Sequence, residues 1–170
     1  MQWGNFKKRS QYLTGDPRFT SVKKGTKNIV YLWARKEFQN ISKCYDCGIP
    51  VVKPRHVSKN ILIMDFEGKD GKPENTLLES EIDENDYHQS IELISNLFKK
   101  AKLVHGDFSE YNIFKTKNGL KLFDLGSAVD TTHPNTMNFL KRDINNITNF
   151  FVKRGLTVEN PTDILERITK

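Results

Sequence analysis

The stretch LVHGDFSEYNIF, residues 103–114, sets His105, Gly106, Asp107 and Asn112 directly behind an apolar pair. A carboxylate and an amide five residues apart suit either a turn or a catalytic loop. Gly and Asp are ordinary turn residues, so His-Gly-Asp alone describes a turn. The elements on either side separate the two readings.

Upstream, residues 83–101 carry one apolar stripe of Tyr87, Ile91, Ile94, Phe98 and Ala101 behind the N-cap residue Asp83. That spacing predicts a helix. Downstream, NIFKTKNGLKLFDL, residues 112–125, predicts two strands turning at Asn118-Gly119. The second strand ends at Phe123-Asp124-Leu125-Gly126. A hairpin of this length returns its far end to its start, which sets Asp124 beside Asn112. Hard oxygen donors of this kind suit Mg²⁺, which completes its shell with phosphate and water oxygens. Asp107 is then free to orient an attacking hydroxyl or water. Base, metal ligand, metal ligand is the layout of phosphoryl transfer. The kinase order of His-x-Asp, Asn five residues on, then Asp-x-Gly is met in full.

Around this centre the chain reads as α+β. Val30, Tyr31, Ala34, Phe38 and Ile41 recur at helical spacing over residues 28–43, and Gly48 and Pro50 end that helix. Residues 49–57 are β-like, with Val51, Val52 and Val57. NILIMDF, residues 60–66, predicts a buried strand. The turn-rich EGKDGKPEN, residues 67–75, predicts a linker. The expected division is a partial upper lobe over 1–66 and a lower lobe over 67–170. Met137, Leu140, Ile144, Ile147 and Phe151 predict a helix over 135–153. Asn160-Pro161 opens a last one.

The 170 residues carry 27 Lys and Arg against 21 Asp and Glu, a net charge of +6. Nine of the basic residues, among them Lys7, Lys8, Arg9, Arg35 and Lys36, fall in residues 7–36, where Asp16 is the only acid before Glu37. Such a run reads as a solvated segment or as a contact to phosphate on nucleic acid or nucleotide. No apolar run nears the roughly 18 residues of a membrane span. The start, MQWGNFKKRS, has no secretory pattern, so a cytosolic or nuclear setting is expected. Cys44 and Cys47, the only two cysteines, have no second pair to complete a zinc site and read as structural thiols at a helix end.

LVHGDFSEYNIF resembles the catalytic loop of RIO kinases, atypical relatives of protein kinases. FDLGSAVDTTHPNTMNFLKRDINNITNFF continues the likeness through the metal-binding Asp into the next helix. YLTGDPRF, YLWARKEFQNI and GIPVVKPRHVSKNILIMDFEGKDG resemble upstream parts of the same family, nearest its type-one branch. The resemblance implies a protein-kinase-like fold and a protein kinase or ATPase that uses ATP and Mg²⁺. It implies Asp107 as the catalytic Asp, and Asn112 and Asp124 as metal ligands. Asp124 is also implied as acceptor of an aspartyl phosphate. Glu37 matches the Glu that pairs with the nucleotide-contacting Lys. Met64 matches the gatekeeper, and the backbone of Asp65, Phe66 and Glu67 matches the adenine-facing hinge. Asp143 is expected to be buried and to brace the catalytic loop. Family members act in maturation of the small ribosomal subunit, so a ribosomal particle or its RNA is the partner implied for residues 7–36.

Ser109 stands where ordinary protein kinases usually carry a γ-phosphate Lys, and no APE-like segment follows Asp124. Aminoglycoside- and choline-type phosphotransferases share His-Gly-Asp, Asn and Asp, but FSEY and HPNTMNFLKRDINN favour RIO kinases over them. One departure remains. No G-x-G-x-x-G occurs among the ten glycines. The phosphate loop and strand Lys would precede FKKRSQYLTGDPRF, and neither Lys7 nor Lys8 lies in an apolar strand. A fragment of a longer kinase and a short module that binds pre-ribosomal RNA or protein without catalysis are the two explanations. Without the phosphate grip, weak or absent turnover is expected.

Overall fold

The computed structural model describes residues 26–170. Of residues 1–28, expected as a basic loop, residues 1–25, with most of the basic run, lie outside the described residues. Helix α1, Thr26–Asp46, extends past the expected helix at both ends. Ala34 and Ile41 are buried on it, as the stripe predicts, but so are Lys36, Asn40 and Cys44. Gly48 ends the helix at φ +69°, a conformation that favours glycine. The Ile49 N–H then reaches back to the Cys44 carbonyl at 3.0 Å. Both thiols are free, and burial pushes Cys44 up to about 12, which suits an inert packing residue.

Strands β1, Pro54–Ser58, and β2, Ile61–Met64, form an antiparallel hairpin against α1. The expectation of a buried strand is corrected here. Ile61 and Ile63 are 60% and 49% exposed, while Leu62 and Met64 face the core. Side chains alternate across a strand. Among the described residues only one face of this pair is covered. The expected linker is also corrected. Gly68–Lys69 (β3) and Lys72–Pro73 (β4) pair in a small hairpin. Its turn, Asp70-Gly71, holds both residues at positive φ, the geometry that Asp-Gly favours.

Helix α2, Glu84–Lys99, begins with a capping box. Asp86 N–H binds the Asp83 carboxylate, and Asp83 N–H binds the Asp86 carboxylate, each at 2.9 Å. Next come β5, Leu103–Val104, β6, Ile113–Thr116, and β7, Gly119–Leu122. The β6–β7 hairpin forms, but its two-residue turn is Lys117-Asn118, one position earlier than predicted. Gly119 opens β7 at φ +109°, with Gln89 Oε1 only 2.5 Å from where a Cβ would stand. That oxygen accepts the Leu120 N–H at 2.9 Å, so α2 sets the register of the turn.

Strand β8, Val129–Asp130, pairs with β5. Helix α3, Thr136–Lys153, follows, and α4, Pro161–Thr169, is capped by Asn160 as expected. Leu140, Ile144, Ile147 and Phe151 are buried as predicted, whereas Met137 is 43% exposed. In that first turn Thr136 and Phe139 take the buried positions. One apolar core joins Ile41 and Cys44 of α1 and Val51 to Leu97, Phe108, Leu122, Leu125 and Phe151. Val51 bridges Leu122 in parallel, which ties the β1–β2 side to the β6–β7 hairpin.

Candidate active site

The loop after β5 is pinned from beneath. Asp143 of α3 accepts the Gly106 N–H at Oδ2, 2.7 Å, and the Phe108 N–H at Oδ1, 3.1 Å. Arg142 donates to the Gly106 carbonyl. Phe108 is fully buried and meets His105 edge-on at 5.5 Å. The two residues flanking Asp107 are thus held inward, and the carboxylate between them is left exposed. Asp143 is buried and braces the loop, as expected. Burial lifts its carboxyl to about 7 against the opposing pull of the two N–H groups and Arg142.

Asn112 closes the loop. Its Nδ2 donates to the Asp107 carbonyl at 2.9 Å, and its N–H to the Ser109 carbonyl at 3.0 Å. The amide oxygen therefore points the other way from Nδ2. Ile113 pairs with Leu122, and the Phe123 N–H reaches the Asn112 carbonyl at 3.3 Å. Asn112 and Asp124 are neighbours across the hairpin, as the sequence predicts. Asp124 accepts the Gly126 N–H at Oδ1, 3.0 Å, and its carboxylate is exposed. His105 is buried below both carboxylates. Neither ring nitrogen makes a hydrogen bond of full geometry, and burial drives its basicity down despite the Asp124 and Asp107 carboxylates and the nearby Asp124 backbone.

The hinge candidates lie between the hairpins. Met64 is half-buried against the core and Phe66 is 61% exposed. Asp65 donates its N–H to the Lys53 carbonyl at 2.9 Å, and the Glu67 carbonyl accepts the Glu74 N–H at 2.9 Å. Arg55 grips the Asp65 carboxylate at 2.5 and 2.8 Å, which holds that carboxyl below the usual range. Lys121 pairs with Glu67 at 2.7 Å. Glu37 is half-buried on α1, and Ser109 is half-buried on the catalytic loop.

Lys36 corrects the reading of the basic run. It is fully buried, with Nζ on the Gly126 and Ala128 carbonyls, so it is no surface phosphate contact. Sequence reasoning missed it and Asn40. The available signal was Trp33, Lys36 and Asn40 at i, i+3 and i+7, polar groups sharing one face of a core helix.

The RIO domain profile matches residues 1–164. This chain belongs to the RIO family. It is 38% identical over 160 residues to the RIO-type serine/threonine-protein kinase Rio1 of Thermoplasma acidophilum, covering 94% of this chain and 84% of that protein. It is 35% identical over 170 residues to serine/threonine-protein kinase rio1 of Dictyostelium discoideum. That match covers 96% of this chain but 30% of that protein, and the Caenorhabditis elegans RIO1 match covers 33% of its protein. The chain thus spans only a third or less of these longer relatives. The crystal structure of the Rio2 kinase-ADP/Mg²⁺-phosphoaspartate complex from Chaetomium thermophilum superposes with a TM-score of 0.65 at 25% identity. The superposition covers 81% of this chain and 44% of that one. The protein-kinase-like α+β fold implied by the resemblance is the fold of this RIO chain.

Proposed function

We propose that this RIO-family chain carries a Mg²⁺-dependent, ATP-using phosphoryl-transfer site that serves a serine/threonine kinase or an ATPase. The carrying observation is that the exposed carboxylates of Asp107 and Asp124 both act on the buried His105 between them, with the Asn112 amide hydrogen-bonded to the Asp107 carbonyl. Among the described residues no three His, Cys, Asp or Glu side chains cluster as a metal cage. Two hard oxygen ligands on a hairpin are what Mg²⁺ needs when phosphates and water supply the remainder. The donor set therefore fits the metal, which would neutralise charge on the transferred phosphates.

Asp124 lies at the strand end with one carboxylate oxygen on the Gly126 N–H and the other directed to solvent. In the aspartyl-phosphate reading, an Asp124 oxygen bonds the terminal phosphorus, the bond to the ADP oxygen breaks, and ADP leaves with the electron pair. Asp107 then takes a proton from water, or from a substrate hydroxyl, that attacks phosphorus; the Asp124 O–P bond breaks, its electron pair returns to the Asp124 carboxylate, and the phosphoryl group leaves on the attacking oxygen. The solved relative described as a complex with ADP, Mg²⁺ and phosphoaspartate supports an aspartyl phosphate in this reading. At the hinge, β1 and β4 neighbours take the Asp65 N–H and the Glu67 carbonyl. The Asp65 carbonyl and Glu67 N–H are then the groups for an adenine edge, with Met64 behind them. Glu37 and Ser109 would sit on the phosphate side. Division into lobes at 66/67 places this hinge at their junction, and a ribosomal particle or its RNA is the partner proposed for residues 7–36.

The test is ATP binding and Mg²⁺-dependent phosphate release or self-phosphorylation by the whole chain, beside Asp107→Ala and Asp124→Ala. Activity lost in both variants supports the reading. Equal inertness of all three, with no ATP bound, leaves a non-catalytic binding module.

A further inference from the structure

Helix α1 sends three side chains against the segment that follows Asp124. Lys36 donates from Nζ to the carbonyls of Gly126 at 3.0 Å and Ala128 at 2.5 Å. Asn40 donates from Nδ2 to the carbonyls of Leu125 at 2.9 Å and Ala128 at 3.0 Å. Both side chains are fully buried. The Trp33 indole nitrogen lies 2.7 Å from where a Cβ on Gly126 would stand.

A buried ammonium and a buried amide are costly unless their donors are used. Apolar side chains would fill this space without that cost. What the polar pair supplies is direction, because residues 125–128 precede β8 outside any strand ladder, and the backbone bond within them is Ala128 N–H to the Leu125 carbonyl at 3.1 Å. Gly126 is the pivot. Its N–H binds Asp124 Oδ1 at 3.0 Å while its carbonyl binds Lys36. Both peptide units on either side of Gly126 are therefore fixed, one by the carboxylate and one by α1. Displacing α1 would turn the Gly126 peptides and with them the carboxylate.

We propose that Lys36 and Asn40 are positioning residues for the Asp124 carboxylate, coupling the seat of α1 to metal binding through residues 125–128. The proposal rests on the reading of Asp124 as a metal ligand. Because coupling of this kind is reciprocal, metal and nucleotide at Asp124 also hold α1 in its seat.

The experiment uses Mn²⁺ with ADP as a paramagnetic probe of the whole chain, followed by broadening of amide signals at Asn112 and Asp124. Variants are Lys36→Met, which keeps the stem and removes the donors, and Asn40→Ala, should Lys36→Met fail to fold. Ile41→Val is the control. It alters a fully buried residue on the same helix and none of the four hydrogen bonds. The expected result is a Mn²⁺ midpoint raised about tenfold in Lys36→Met or Asn40→Ala and unmoved in Ile41→Val, whatever each does to the melting temperature. Faster amide exchange at Gly126 and Ala128 accompanies the shift only in the first two. An unchanged midpoint, or an equal shift in Ile41→Val, overturns the proposal while leaving the metal site intact. Absence of broadening in the wild type sinks the metal-site reading itself, and this proposal with it.

Discussion

Asp143 on α3 accepts the backbone N–H of Gly106 at 2.7 Å, across 37 positions of sequence, and so holds the loop that carries Asp107. Its other oxygen holds Phe108. Replacing it by Ala leaves two buried donors unsatisfied. We predict a loss of about 2–4 kcal/mol in urea unfolding, together with loss of phosphoryl transfer. Asp143→Asn should retain one acceptor and lose roughly half as much.

The same carboxyl gives stability a pH dependence. It titrates near 7 in the folded chain against 3.8 ordinarily. Between those values the folded state keeps a proton that the unfolded chain has released. Stability should therefore fall as pH rises from about 4 to 7 and level off above, by up to roughly 4 kcal/mol. Buried His105 runs the opposite way. Its lowered basicity costs stability as pH falls below the ordinary 6.5. Urea midpoints of wild type minus Asp143→Asn cancel the histidine, and a difference that does not shrink between pH 4 and 7 refutes the assignment.

Asp107 and Asp124 are exposed, and their Ala variants should separate chemistry from folding. Both should abolish Mg²⁺-dependent transfer; Asp107→Ala should move the unfolding free energy by only about 0.5 kcal/mol, and Asp124→Ala, which leaves the Gly126 N–H without its acceptor, by about 1–2 kcal/mol. Asp124→Ala should also abolish Mn²⁺ broadening at Asn112, whereas Asp107→Ala should keep it. A matched loss of Mn²⁺ binding in both would show that the two carboxylates do not divide the work.

Gly126 meets Trp33 too closely for any side chain. Gly126→Ala should destabilise by about 1–3 kcal/mol by forcing the indole or the helix away. Trp33→Phe in the same chain should recover part of that loss, since a smaller ring without the indole nitrogen opens the space. Non-recovery in thermal unfolding would place the strain elsewhere.

Ile63 points outward from β2 at 49% exposure. Ile63→Thr should change stability by no more than about 0.5 kcal/mol, whereas Leu62→Ala, facing the core, should cost about 2 kcal/mol or more. Equal costs would restore the expectation of a strand buried on both faces.

Local chemistry in the sequence carried much of this protein. Asp83 and Asn160 announce their helices because a cap needs only its own next few N–H groups. The His-Gly-Asp, Asn and Asp-Leu-Gly spacing announces the site because one hairpin joins its two halves. Asp70-Gly71 was equally legible as a turn and passed for a linker. Other features depend on distant neighbours. The shift of the β6–β7 turn to Lys117-Asn118 comes from Gln89 on α2. The exposure of Ile61 and Ile63 comes from a hairpin that, among the described residues, is covered on one face. The burial of Lys36 comes from carbonyls 90 and 92 positions away. By itself the sequence determined which residues are the candidates for phosphate and metal, since their order and spacing are local. Only the tertiary structure decided what holds them, since Asp143, Lys36 and Asn40 act on backbone groups that folding alone brings within a hydrogen bond's reach.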